Sequence, residues 1–244
     1  MADSAQEYVG RELDVFSVAQ NWKKYWSLMV LPFVGKRVLE VGAGIGSSTQ
    51  VLSSLCQPTV WVCLEPDHRN IGALRQERRR GTLPDFCEIR QGTLGDLESE
   101  EEFDSILYID VLEHIRDDIG EIEAAAAHIA PNGHLIILAP AHPFLFSEFD
   151  AAIGHHRRYT RGMFADQYGG EIHVASTQYL DSAGLLASLG NRLLLRSSQP
   201  SRRQLTFWDQ FLIPISRVAD RILQYQFGRS ILIIYRKVNQ EQRS

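Results

Sequence analysis

Cysteine is scarce in this chain of 244 residues, and the three present, Cys56, Cys63 and Cys87, are odd in number and never stand as C-x-x-C. That argues against a disulfide framework and against a thiolate zinc site, and it makes a reducing cytoplasm the expected compartment. Long apolar runs are missing as well. No uninterrupted stretch approaches the ~20 residues of a membrane span, so no stable membrane insertion is expected. The opening Met-Ala-Asp-Ser-Ala-Gln-Glu-Tyr has no basic start followed by an apolar run and does not read as a signal peptide. Positive charge is not in excess either. Lys and Arg number 25 against 30 Asp and Glu, a formal net charge of -5, which speaks against a general nucleic-acid binder.

What is present reads as a soluble α/β protein. Residues 37–41, 59–64, 86–90, 105–109 and 134–139 are short strands, apolar on both faces. Residues 48–56, 68–80 and 118–130 are the helices between them, the last closed by Pro131-Asn132-Gly133. Such alternation predicts a parallel sheet covered by helices on both sides. Ahead of it, Phe16, Trp22, Tyr25, Trp26 and Met29 recur at three- and four-residue steps, as on a helix. Behind it the rhythm breaks. Residues 141–161 are rich in Phe, His and Arg with little periodicity, 171–180 read as a sixth strand, 185–195 and 208–225 as amphipathic helices, and 231–236 as a last strand. One domain over 1–244 is the economical organisation, with an N-terminal helical lid (1–33) and a helical insertion (181–229) before the final strand.

The segment richest in chemistry is Arg37-Val38-Leu39-Glu40-Val41-Gly42-Ala43-Gly44-Ile45-Gly46-Ser47. It leads from strand one, past an acid, through three alternate glycines and into a helix. Glycine lets the backbone turn sharply and approach a ligand where a Cβ would collide, and the following helix offers unpaired N–H groups. The carboxylate of Glu40 suits a cationic or hydroxyl-rich ligand better than a pyrophosphate. Strand two ends in Glu65, an acid placed to accept ribose hydroxyls, at about the 20-residue spacing of a nucleotide-binding unit. A dinucleotide site would prefer G-x-G-x-x-G, and here Ser47 holds the third glycine's place. With Gln91-Gly92-Thr93-Leu94 and Ile109-Asp110-Val111-Leu112-Glu113-His114, polar or small residues stand at the ends of four consecutive strands, where open sheets bind ligands.

These segments, together with Pro140-Ala141-His142-Pro143-Phe144, Gly154-His155-His156-Arg157-Arg158-Tyr159 and Tyr179-Leu180-Asp181-Ser182, resemble the class I S-adenosylmethionine (SAM)-dependent methyltransferase family in its bacterial small-molecule branch. The likeness runs over residues 16–237. It implies a Rossmann-like, seven-stranded, mostly parallel sheet in the order 3-2-1-4-5-7-6 with strand seven antiparallel, and SAM as the cofactor. It further implies that Gly42, Gly44 and Gly46 approach the methionine part, with Glu40 near its amino group. Glu65 would hold the ribose, Thr93 and Leu94 flank the adenine, and Asp110 sit beside the methionine moiety.

Other residues are open to two readings. Trp22 and Tyr25 read as cation–π lid residues over the sulfonium and Trp22, with Trp26, as a helix stripe packed on the sheet, two readings that can hold at once. His142, at the exit of strand five, is the first choice for an acceptor-side base. His155, His156 and Tyr159 lie in a loop that could cover the cleft, and Tyr179 could face the sulfonium; a structural loop is the competing reading. No metal is expected, because no Cys or carboxylate stands at ligand spacing with these histidines. Arg192, Arg196, Arg202, Arg203, Arg217, Arg221 and Arg229 outnumber the acids of the tail, which suggests an anionic substrate or an acidic partner such as a carrier protein. Methyl transfer to a small molecule or carrier-bound biosynthetic intermediate is the leading expectation. The rivals are a SAM lyase or cyclase giving azetidine-2-carboxylate and methylthioadenosine, and a SAM-binding protein without catalysis.

Overall fold

Alternation along the first strand sets the architecture. In β1 (Arg37–Val41), Val38 enters one apolar layer while Leu39 and Val41 enter the other, all at 6% exposure or less. The same division runs through β2 (Val60–Glu65), β4 (Phe103–Ile109) and β5 (Ile129–Pro140). Val62, Ile106, Leu135 and Ile137 belong to one layer, and Trp61, Cys63, Leu107 and Ile136 to the other. A sheet with two apolar faces must be covered twice. In the computed structural model, which describes residues 18–168, 171–194 and 201–238, α4 (Asp118–Ala127) covers the first face. The other is covered by α1 (Gln20–Val30), α2 (Ser47–Ser53), α3 (His68–Arg79) and the tail helices. The first part of the expected lid (1–17) and Arg196 lie outside the described residues, as does the side chain of Arg192.

With β3 at Cys87–Gln91, the sheet has eight strands among the described residues, in the order β3-β2-β1-β4-β5-β8-β7-β6. β1 to β5 run parallel, and β8 (Ser230–Lys237) lies antiparallel between β5 and β7 (Ile172–Leu180). The class and order match the expectation, but the count of seven is corrected. A two-residue edge strand, β6 (Gln167–Tyr168), pairs with Ile172 and His173, with the Tyr168 ring 5.5 Å from that of Tyr235. A strand of two residues has no period to detect. The helix expected to reach residue 130 ends at Ala127, and Pro131-Asn132-Gly133 lies inside β5. There the pairing jumps from Phe103–Ile129 to Ser105–His134, Asn132 adopts φ 63°, and a Cβ on Gly133 would meet a backbone oxygen at 2.8 Å.

After the short α5 (Glu148–Ala152), the tail forms α6 (Ser182–Leu194) and then one continuous helix, made of α7 (Arg202–Phe207), a π turn (Trp208–Leu212) and α8 (Ile213–Ile222). Pro214, which offers no N–H, follows the widened turn. Two buried carboxylates of this helix reach other helix starts. Asp209 accepts the Asn21 and Trp22 amides at the first turn of α1, at 3.2 and 2.9 Å. Asp220 accepts the Asp181 and Ser182 amides at the start of α6, at 2.7 and 2.9 Å.

Candidate functional site

The carboxyl ends of β1, β2, β4 and β5 meet where strand order reverses between β1 and β4, the place where open α/β sheets bind ligands. The turn leaving β1 needs its glycines for different reasons. All three adopt positive φ, 66° at Gly42, 57° at Gly44 and 81° at Gly46. A Cβ on Gly42 would meet Val111 at 2.7 Å, and one on Gly46 would meet Leu74 at 2.8 Å. Both therefore serve close packing as well as backbone shape.

Two carboxylates support the turn from beneath. Glu40 is buried, and its Oε2 accepts both Thr49 Oγ1 at 2.6 Å and Trp61 Nε1 at 2.9 Å. Burial pushes its carboxyl up to about 7, only partly offset by those two donors. Glu65 folds back onto the turn. Its Oε2 accepts the Gly44 amide at 2.7 Å, while Oε1 accepts the Asp67 amide and the Asn70 side chain. A carboxylate oxygen has two lone pairs, so Oε1 is filled and Oε2 can accept one more donor. At the end of β3 (Cys87–Gln91), Thr93 is locked to Asp96 through its amide and hydroxyl at 2.8 and 2.9 Å, and Leu94 is buried.

Asp110 differs from these acids. It holds φ 54° just past β4, anchored by its amide to Leu138 O at 2.8 Å, and its side chain is open to solvent. Loss of water around it nonetheless pushes its carboxyl up to about 6, against the pull of Arg229, Lys23 and Arg158. Lys23, buried on α1, is drawn down to about 8 by that burial, opposed by the charges of Asp209 and Asp110. Arg229 lies 3.6 Å from Asp181 and over the Trp208 ring at 4.6 Å.

On the opposite wall, His142 leaves β5 at φ 66°. Its ring stacks between Phe144 at 5.2 Å and Tyr179 at 4.9 Å, with Nε2 3.0 Å from Gly228 O. A carbonyl only accepts, so Nε2 carries the proton and Nδ1 the lone pair. Burial holds this imidazole below its ordinary pKa. Tyr179 accepts the Arg161 amide at 3.2 Å and lies beneath the Arg161 guanidinium at 4.9 Å.

The 154–159 loop turns inward. His155 Nδ1 lies 3.0 Å from Asp150 Oδ1, its Nε2 is 3.8 Å from Glu113, and its ring meets His114 edge-on at 4.6 Å. Burial would raise Asp150, but hydrogen bonds from His155 and Arg158 hold it well below the usual carboxylate range. The expectation of no metal rested on the absence of a carboxylate at ligand spacing with these histidines in sequence. The fold brings the buried carboxylate of Glu113 to His114 and His155, with donor atoms within 4.8 Å of one another. Such a set can share a cation or, with His155 protonated, form an ion-paired cluster. Tyr159 is buried and gives its hydroxyl to Leu112 O and Asp118, while His156 is exposed. Trp22 and Tyr25 are buried on α1. Tyr25 donates to Asp220 at 2.8 Å, and Trp22 packs on Trp208 at 5.9 Å. These are the contacts of a helix face packed against the tail helices. Sequence reasoning did not single out Lys23, Glu113, Asp150 or Arg158 as cleft residues, although Glu113 and Arg158 lie inside segments that carry the family likeness.

A family model described as a methyltransferase domain matches residues 17–187. The ubiquinone biosynthesis O-methyltransferase of Bradyrhizobium diazoefficiens is 30% identical over 103 residues, which are 42% of this chain and 39% of the relative. The match thus spans about two fifths of that relative's length. Among solved structures, the N-methyltransferase NodS from Bradyrhizobium japonicum superposes with a TM-score of 0.55 at 13% identity, covering 92% of this chain and 99% of that one. Coclaurine N-methyltransferase, bound to N-methylheliamine and S-adenosylhomocysteine, gives 0.56 at 14% identity, covering 86% and 72%. The match over most of the chain, on a sheet of this order with its glycine turn at the switch point, places the chain in the class I SAM-dependent methyltransferase family.

Proposed function

We propose that the protein moves a methyl group from SAM to a hydroxyl oxygen of an anionic small molecule or carrier-bound intermediate. The donor set fits SAM. The free lone pair on Glu65 Oε2 can take a ribose hydroxyl, Glu40 lies behind the turn, and Asp110 is the open acid for an ammonium. Bound there, SAM supplies a methyl on a sulfonium, open to in-line attack.

The observation that carries methyl transfer, beyond SAM binding, is His142. A neutral imidazole clamped between two rings, its Nε2–H given to Gly228, presents Nδ1 as a base at the exit of β5. A hydroxyl acceptor must lose its proton to become a good nucleophile, and Nδ1 can receive it as the oxygen–methyl bond forms. Positioning by the cleft walls would supply much of the remaining rate. The relatives named O-methyltransferases support oxygen as the acceptor atom. The charges of Lys23, Arg158 and Arg229 around Asp110 support an anionic acceptor.

Incubation with SAM alone and with SAM plus hydroxylated aromatic acids, followed by mass spectrometry, tests this. S-adenosylhomocysteine and a methylated acceptor, only when an acceptor is added, are expected. Methylthioadenosine from SAM alone would point to the lyase instead, and binding without turnover to a non-catalytic protein. Glu65→Ala should weaken SAM binding by ~1.5–3 kcal/mol, read by calorimetry. Affinity equal to wild type would remove Glu65 from the ribose site.

A further inference from the structure

The long tail helix shows one face to solvent that the cleft does not use. Phe207, Phe211, Ile215, Val218 and Ile222 stand on it at 55% to 75% exposure, spaced by three or four residues so that they form one stripe. The Phe207 and Phe211 rings stack at 5.2 Å, so the stripe's beginning is already ordered. Arg202, Arg203, Arg217 and Arg221 are exposed on the same helix, and none forms an ion pair among the described residues. The two acids of the helix, Asp209 and Asp220, are buried on its opposite side. A protein of net charge -5 therefore displays an apolar stripe with four positive and no negative neighbours on that helix.

Isolated exposed apolar residues need no explanation, but an aligned stripe of five large ones does. We infer that this helix docks the protein on an anionic phospholipid surface, lying in the interface plane with Phe211, Ile215 and Ile222 among the acyl-chain ends and the arginines at the headgroups. An amphipathic helix with basic flanks binds in this way, and each arginine near an anionic surface adds favourable attraction. A second copy packed through the same stripe would bring two helices together whose exposed charges are all positive, with both acids buried in each, so the charge favours lipid. The buried side of the same helix carries Trp208 and Asp209, which hold α1 over the cleft. Docking would thus place the cleft about one helix diameter, ~10 Å, from the headgroups.

Co-sedimentation of the full chain with vesicles tests the inference. Binding is expected to phosphatidylcholine vesicles containing phosphatidylglycerol, weakened by salt, and much less to phosphatidylcholine alone. Arg217→Glu with Arg221→Glu should lower partitioning about 30-fold or more, and Phe211→Ser with Ile215→Ser and Ile222→Ser by at least about tenfold. Circular dichroism and SAM binding should stay as in wild type, since these side chains face solvent. No binding to the anionic vesicles, or equal binding by wild type and both variants, would overturn the inference. So would a wild-type dimer in equilibrium sedimentation that the serine variant breaks while vesicles are ignored, which would assign the stripe to a second copy.

Discussion

Glu40 receives both of its donors, Thr49 and Trp61, on a single oxygen, Oε2. A glutamine could therefore keep both bonds on its carbonyl while losing only the charge. The folded carboxyl is raised to about 7, above its ordinary value of 4.5. Its stabilising effect is present below the unfolded value and is lost as pH rises from 4.5 through about 7. Glu40→Gln should abolish that loss and be more stable than wild type at pH 8 by on the order of 1–3 kcal/mol. Parallel thermal denaturation curves for the two proteins between pH 5 and 8 would remove the argument. The same variant should bind SAM more weakly if the charge meets the cofactor's ammonium. His142 invites a second test at this scale. Its φ of 66° suits asparagine, which tolerates left-handed backbone but has no basic lone pair. His142→Asn should lower turnover ~10²–10⁴-fold with little change in SAM affinity. Wild-type turnover should fall as pH drops through an imidazole pKa below the ordinary histidine value. Unchanged turnover in the variant would pass the role of base elsewhere.

Among the elements, α1 starts without a side-chain cap of its own, because Ala19 cannot supply one. Asp209 caps it from 188 residues away, accepting the Asn21 and Trp22 amides. Removing a cap leaves buried donors without an acceptor, which costs ~1–3 kcal/mol. Asp209→Ala should destabilise the protein by about that amount and speed amide exchange in α1. If exchange in α1 stays as in wild type while stability falls, the cap is not what holds the helix over the cleft. Asp220 does the same for α6 and also takes the Tyr25 hydroxyl. The long tail helix is thus a clamp on two other helices.

For the molecule as a whole, the clamp has a cooperative consequence. Trp22, Trp26 and Trp208 lie in the helical layer, and that layer is tied to the sheet through Asp181, which accepts Trp208 Nε1 at 2.8 Å. β8 comes last in the chain, yet it fills the gap between β5 and β7. We propose that residues 18–238 unfold as one domain. Tryptophan fluorescence and far-ultraviolet circular dichroism should then give coincident denaturation curves. Fluorescence changing at clearly lower denaturant would show the helical layer melting by itself.

Strands β1 to β5, the glycine turn and the acids at the strand ends were readable from residue order, because burial on both faces and glycine spacing are local properties. The antiparallel last strand came through the family likeness rather than through any period. Tertiary structure alone decided which carboxylate meets which donor. Glu65 bends back to the Gly44 amide, Asp150 and Glu113 bracket His155, and Asp209 finds α1 across the chain. It also decided that Tyr25 gives its hydroxyl to Asp220 and that a two-residue strand extends the sheet edge. Sequence spacing records which residues share a helix or strand face. Partners brought together by loops crossing the sheet have no period, so only the folded chain could pair them.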